Sequence, residues 1–127
     1  MAPLIVIAPD LGTSKDGKLP EFREHWEIVV YYQGLNVWHH YWTPEKGPHW
    51  VKAASMLLPK DCWWKPNVKH TLSVKVAKNA KGRKEMVCTC NGYTLQYVDD
   101  TLPDEFYGGI LGCEGRNFFW DFSAKTK

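Results

Sequence analysis

The side chains best suited to chemistry are concentrated in residues 36–50, a segment rich in tryptophan and histidine. If this segment forms a strand, Trp38, His40 and Trp42 point to one face, because successive side chains alternate between faces. Two indoles about 13 Å apart, with an imidazole between them, form a strip on which a planar ring or a sugar can stack. The alternative is a structural role, in which the tryptophans pack against a second sheet.

A sugar presents apolar C–H faces and hydroxyl groups, so a site for it combines aromatic rings with hydrogen-bonding side chains. The adjacent Trp63 and Trp64 point to opposite sides in an extended chain, which leaves one for the core and one for a ligand. The ligand-binding residues that the sequence predicts are Asn36, Trp38, His40, Trp42, Trp50, Trp64 and Arg116.

Acid and base chemistry is the rival interpretation. Glu27 and Asp121 each alternate out of phase with their aromatic neighbours, so on strands both face away from those rings. If that face is concave, Glu27 and Asp121 converge with His40 and Trp38 in a pocket where desolvation raises the pKa of a carboxyl. Such a pair suits a small lyase, isomerase or cyclase. The alternative is that both acids are solvent-facing strand residues.

No metal or cofactor is expected. His39 and His40 are adjacent and diverge on a strand, and neither an H-x-H nor a C-x-x-C spacing occurs. Cys88 and Cys90 share a strand face at a separation too wide for an easy mutual disulfide. They either pack as small apolar groups or pair with one of the other cysteines, Cys62 and Cys113, so the disulfide state stays open.

Length and composition favour a single domain over residues 1–127, with 44% hydrophobic and 24% charged residues, which excludes an intrinsically disordered chain. Lys and Arg number 16 against 14 Asp and Glu, so nucleic acid is not the expected partner. No apolar run approaches the length of a membrane span, and residues 4–8 are too short for a signal-peptide core.

The expected partner is a glycan or a small molecule. A homodimer, and the choice between a cytoplasmic and a secreted mature chain, stay open.

Apolar residues recur with a period of two, which predicts strands and leaves almost no helical signal. Three hairpin groups follow from the turn residues: 26–32 with 35–42, the meander 72–76, 86–90 and 93–97 with an Asn91-Gly92 turn, and 107–113 with 117–122. Residues 50–58 fit either a strand or a short helical turn. The predicted fold is all-β, an antiparallel two-sheet β-sandwich, with a small β-barrel as the alternative. Core-like alternation is predicted for Trp26, Tyr93, Tyr97, Phe118, Trp120 and Phe122.

The second half of the chain resembles the end of a concanavalin-A-like or laminin-G-like jelly roll. The resemblance is based on four segments: 70–76 (HTLSVKV), 86–100 (MVCTCNGYTLQYVDD), 107–112 (YGGILG) and 117–122 (NFFWDF). The resemblance implies a two-sheet sandwich with a concave face, as in lectins, carbohydrate-binding modules, glucanases and polysaccharide lyases. The E-x-D-x-x-E signature of the glucanases with this fold is absent, as is a recognisable lectin calcium and manganese cluster. A lectin-like binding module is therefore favoured over an enzyme.

Overall fold

Strands make up most of the chain in the computed structural model, which describes residues 2–9, 12–13, 20–21, 23–113 and 117–125. A three-residue 3-10 helix at Lys60–Cys62 is the one helical element among these residues. The strands are β1 Ala2–Ala8, β2 Gly12–Thr13, β3 Pro20–Glu21, β4 His25–Tyr31, β5 Gly34–Thr43, β6 Gly47–Leu57, β7 Leu72–Lys78, β8 Lys84–Cys90, β9 Tyr93–Val98 and β10 Tyr107–Cys113.

Two antiparallel sheets carry the fold. The larger has five strands in the order β10-β1-β4-β5-β6, and the smaller is the meander β7-β8-β9; β2 and β3 form a separate short pair. Within the described residues neither large sheet closes on itself, so the all-β sandwich prediction is confirmed and the barrel alternative is not.

The turns follow the sequence chemistry that predicts them. Asn91 and Gly92 both have positive φ, 51° and 87°, as a two-residue hairpin between β8 and β9 requires. β4 and β5 pair directly across Tyr32 and Gln33, which confirms the predicted hairpin of residues 26–32 with 35–42. Residues 50–58, which fitted two interpretations, lie almost entirely in strand β6.

The main core lies between the two sheets. Trp26 and Ile28 of β4 and Val37 of β5 are buried in one cluster with Met86 and Cys88 of β8. Within this cluster the buried residues of β4 share one face, as do those of β8, so the two sheets meet through their apolar faces. Fully buried side chains of this cluster include Trp26, Ile7, Ile28, Leu35, Val37, Met86, Cys88, Cys90 and Leu102.

The cysteines of the core act as apolar packing groups. Cys62, Cys88 and Cys90 are free thiols, and burial raises the pKa of Cys88 to about 12. Burial also raises the pKa of Cys90, with a smaller contribution from Cys62. Of the alternatives for Cys88 and Cys90, packing as small hydrophobes is the one that the structure has.

The predicted strand at residues 117–122 is wrong. Phe118 and Trp120 are 72% and 62% exposed, and Phe119, of the other strand parity, is exposed as well, so no face of this segment is buried. Asp121 has a φ of 53°, which interrupts an extended chain. The expected core positions Phe118, Trp120 and Phe122 are therefore exposed. Of the other expected core positions, Tyr93 of β9 is exposed, Trp26 is buried, and Tyr97 packs against the core.

Gly34 permits a close approach of β5 and β6 that a larger residue would prevent. A Cβ added at Gly34 would lie 2.0 Å from the backbone oxygen of Met56. We expect Gly34→Ala to lower the free energy of unfolding by about 1–3 kcal/mol, because the paired backbones must separate. Gly109→Ala in β10 is the control, since an added Cβ there meets nothing within 4 Å. Urea unfolding of both variants measures the effect, and equal losses would contradict the explanation.

His70 is held as a neutral imidazole next to the Asn91 turn. Asn91 Oδ1 accepts a hydrogen bond from the Thr71 backbone N–H at 2.9 Å, so Asn91 Nδ2 donates to His70 Nδ1 at 2.7 Å. A proton on Nδ1 would oppose that bond, and burial lowers the pKa of His70 below its usual value.

Because the pKa of His70 is lower in the folded state, the unfolded chain takes up more protons as the pH falls below about 6.5. The stabilisation from neutral His70 is therefore present above about pH 6.5 and is lost on acidification toward the lowered pKa. We expect the difference in free energy of unfolding between the wild type and His70→Gln to shrink across this window. Urea titrations at several pH values measure it, and a difference that does not change with pH would refute the prediction.

Candidate functional site

The outer face of the five-stranded sheet, opposite the core, carries a compact group of polar and aromatic side chains. Trp26 and Ile28 point into the core, so the alternate residues His25 and Glu27 point outward. Across the β4–β5 pair, His25 lies opposite His40 and Glu27 lies opposite Trp38. β6 adds Trp50 beside His40 and Lys52 beside Trp38. We call these six residues the outer patch: His25, Glu27, Trp38, His40, Trp50 and Lys52.

A bulge in β6 determines which residues of that strand belong to the outer patch. Val37 pairs with Ala54 and the next residue, Trp38, pairs with Lys52, so Ala53 is an extra residue. In an uninterrupted pairing His40 would face Val51. The bulge brings Trp50 to that position instead, and bulges commonly re-aim side chains in this way.

Glu27 is the centre of the outer patch. Its Oε1 lies 3.3 Å from His25 Nε2 and its Oε2 lies 3.3 Å from His40 Nε2. The two imidazole rings stack with their centroids 4.4 Å apart and their planes 10° apart. The carboxylate therefore holds both histidines through different oxygens.

These contacts set the charges of the group. The hydrogen bond from His25 and the neighbouring His40 hold the pKa of Glu27 below its usual value, against the opposing effect of burial. Burial lowers the pKa of His40, although Glu27 opposes that shift. Near neutral pH the group thus contains an ionised carboxylate beside a neutral His40 imidazole.

The tryptophans of this region differ in how much of the indole is accessible. Trp50 is 64% exposed, whereas Trp38 is half-buried against the cluster of Leu4, Val6 and Val29. Trp42 is exposed at the end of β5 and borders a groove with His39 and Tyr41, so it is not counted in the outer patch. Trp50 is the indole of the outer patch with a face available to a ligand.

The structure brings some of the predicted site residues together and separates others. Glu27, Trp38, His40 and Trp50 meet in the outer patch, and Asn36 lies next to it on β5, opposite Val29 and Ser55.

Asp121 does not converge with Glu27 and His40. It is highly exposed and forms an ion pair with Lys69 at 3.0 Å, because the segment that holds it is not a strand of either sheet. That expectation is corrected.

Trp64 is also placed elsewhere. Its backbone N–H donates to the backbone oxygen of Tyr32 in the β4–β5 turn. That turn precedes the first residue of β5, whereas His40 lies near the other end of the strand. The neighbouring Trp63 packs against the core and donates from Nε1 to the Leu58 oxygen at 2.9 Å. One indole of the pair therefore packs inward as predicted, but Trp64 does not extend the outer patch. Arg116 lies outside the described residues.

His25 and Lys52 were not predicted as site residues. The signal for His25 is its spacing from Glu27, since residues i and i+2 of a strand share a face. Lys52 has no comparable signal, because its position opposite Trp38 depends on the bulge at Ala53.

His39 has a different environment from His40 although the two are adjacent. Its ring stacks on Trp26 at 4.2 Å with the planes 5° apart, and its Nε2 lies 2.9 Å from Glu24 Oε1. It lines an open groove of about 750 Å³ at one end of the sandwich, together with Tyr41 and Asp99. His39 therefore covers the end of the core.

Comparisons with protein-family models, with curated proteins and with solved structures find no match for this chain. No helix in the described ranges is long and apolar enough to cross a membrane. Function must therefore be inferred from the chain's own residues.

Exposure of Trp50 implies that its indole contributes little to folding. We expect Trp50→Ala to change the free energy of unfolding by no more than about 0.5 kcal/mol, as for other surface sites. Trp26→Ala, at a site only 1% exposed, should cost about 3–5 kcal/mol. Chemical denaturation of the two variants measures the contrast, and a large loss in Trp50→Ala would show that the indole has a packing role.

Proposed function

We propose that this protein binds carbohydrate, or a small ligand of similar shape and polarity, on the outer patch. The observation that carries the proposal is the position of the exposed Trp50 indole beside His40, whose imidazole lies 3.3 Å from the Glu27 carboxylate. A flat apolar surface next to oriented donors and acceptors matches a pyranose, which has apolar C–H faces and a rim of hydroxyls.

Stacking would be supplied mainly by Trp50. Its indole is 64% exposed, so a sugar ring could lie on it without any rearrangement of the core. The indole is rigid and loses little side-chain entropy when a ligand covers it. Trp38, next to His40 on the same face of β5, is half-buried and would form the floor of the site.

Hydrogen bonding would be supplied by three polar side chains of the outer patch, Glu27, His40 and Lys52. The Glu27 carboxylate accepts from hydroxyl groups, and the Lys52 ammonium donates to them. His40 is fixed by its contact with Glu27 and by stacking on His25. Groups held in place before binding lose less entropy on contact with a ligand.

A concanavalin-A-like jelly roll is the fold family we propose for the sandwich. Support comes from β7, β8, β9 and β10, which follow one another in the order that the resemblance implies. The final segment, residues 117–122, departs from that pattern because it is not a strand. The proposed carbohydrate function therefore rests on the outer patch and not on the family.

A small lyase or isomerase is the second candidate, and one observation favours it. An ionised Glu27 lies 3.3 Å from the imidazole of His40, and the pKa of His40 is lowered by burial. A neutral imidazole next to a carboxylate can take a proton from a carbon or oxygen acid. The two candidates would use the same surface and differ in whether the bound ligand is changed.

A glycan array followed by calorimetry with the best ligand tests binding. We expect Trp50→Ala to weaken affinity by about 5- to 150-fold, since a stacking aromatic is worth about 1–3 kcal/mol. Trp120→Ala is the matched control, because Trp120 is 62% exposed but lies outside both sheets. Equal affinity of Trp50→Ala and the wild type, or no array signal for the wild type, would contradict the proposal.

Mass spectrometry of the bound ligand after prolonged incubation separates the two candidates. An unchanged ligand supports the binding module. A product that forms with the wild type and not with Glu27→Gln would establish the enzyme and overturn the purely binding role.

A further inference from the structure

We propose that His25, Glu27 and His40 form a binding site for one zinc ion on the outer face of the five-stranded sheet. Two imidazole nitrogens and one carboxylate oxygen are a ligand set that zinc accepts, with a fourth position left for water or for another molecule. The site does not depend on carbohydrate binding and can be tested without any glycan.

The three ligands come from two paired strands, which fixes their spacing. His25 and Glu27 are two residues apart on β4, and His40 lies directly opposite His25 on β5. One ligand atom from each residue can be chosen so that all three lie within 4.8 Å of one another. Backbone hydrogen bonds between β4 and β5 therefore hold the set together before any ion arrives.

The distance of each histidine from Glu27 suits a tetrahedral ion. Ligand bonds of about 2.0–2.1 Å at tetrahedral angles place neighbouring ligand atoms about 3.3 Å apart. Glu27 Oε1 lies 3.3 Å from His25 Nε2 and Glu27 Oε2 lies 3.3 Å from His40 Nε2, so each histidine meets a different oxygen of the carboxylate at this spacing. An imidazole directs its lone pair in the plane of the ring, so binding would open the two rings from their present angle of 10°.

The protonation states also suit an ion. Metal ligands must be a deprotonated carboxylate and neutral imidazoles. A carboxylate is ionised at neutral pH, and a neutral imidazole that carries its hydrogen on Nδ1 offers the lone pair of Nε2 to the ion.

The three proposed ligand side chains are mostly buried, but part of each is still accessible to solvent. The side chains of His25, Glu27 and His40 are 14%, 21% and 29% exposed, which leaves an entry path. The prediction that no metal binds is based partly on His39 and His40, which are adjacent in the chain and whose side chains point to opposite faces of a strand. The proposed site instead pairs His40 with a histidine of the adjacent strand.

Calorimetric titration of the chelator-treated protein with zinc chloride tests the proposal. We expect one ion per chain, with affinity lowered more than tenfold in His40→Gln and in Glu27→Gln, since even outer-shell changes cost about 10–100-fold. His49→Gln is the matched control, because His49 lies on the same sheet but faces the side of Tyr41. Wild-type affinity in His40→Gln and Glu27→Gln, or an equal loss in His49→Gln, would overturn the site.

Binding of cobalt to the wild-type protein, in place of zinc, tests the site without any variant. Misfolding of a variant therefore cannot affect the result. A nitrogen and oxygen ligand set gives d–d bands without thiolate-to-cobalt charge transfer. Strong charge-transfer absorption would place the ion on the cysteines and overturn the proposal.

Thermal unfolding of the same proteins provides the third readout. Zinc should raise the Tm of the wild type and of His49→Gln, but not that of Glu27→Gln, because only a bound ion stabilises the folded state. A Tm increase of the same size in Glu27→Gln would count against the site.

Discussion

The antiparallel pairing of β4 with β5 determines both the core and the outer patch. Trp26 is 1% exposed between the sheets, and its burial decides which alternate residues of β4 face outward. A slip of one residue would expose that indole and bury Glu27, a carboxylate whose partners lie on the other face. The free energy that holds the core register therefore also positions the polar group.

The second sheet makes that register unambiguous. Met86, Cys88 and Cys90 present an apolar face of β8 to β4 and β5, and each of the three is fully buried. The thiols fill space here in the way that small aliphatic groups would. Because one face of β4 and β5 is packed so completely, the other face of this pair can carry two histidines and an acid without loss of the fold.

Local patterns in the sequence are sufficient for much of the fold. Period-two alternation and the Asn91-Gly92 turn predict the meander, and the same alternation predicts that Glu27 faces away from Trp26. The placement of Asp121 could not be predicted this way, because a strand pattern at residues 117–122 forms a strand only if a neighbouring strand pairs with it. The position of Trp50 likewise depends on a pairing partner, since the bulge at Ala53 is a property of β5 and β6 together.

That bulge has a consequence for how such a surface changes during evolution. Ala53 is the one extra residue of the bulge. Each side chain of β6 from its first residue to Lys52 therefore faces the side opposite to the one it would face if the same residues paired without a bulge. Loss of the Ala53 codon would remove the bulge and leave Trp50 beside His40 and Lys52 beside Trp38, whereas uninterrupted pairing of the full-length strand would place Val51 beside His40. The surface chemistry of this strand thus depends on the number of its residues and on their pairing together, and deletion of the one bulge residue leaves that chemistry unchanged.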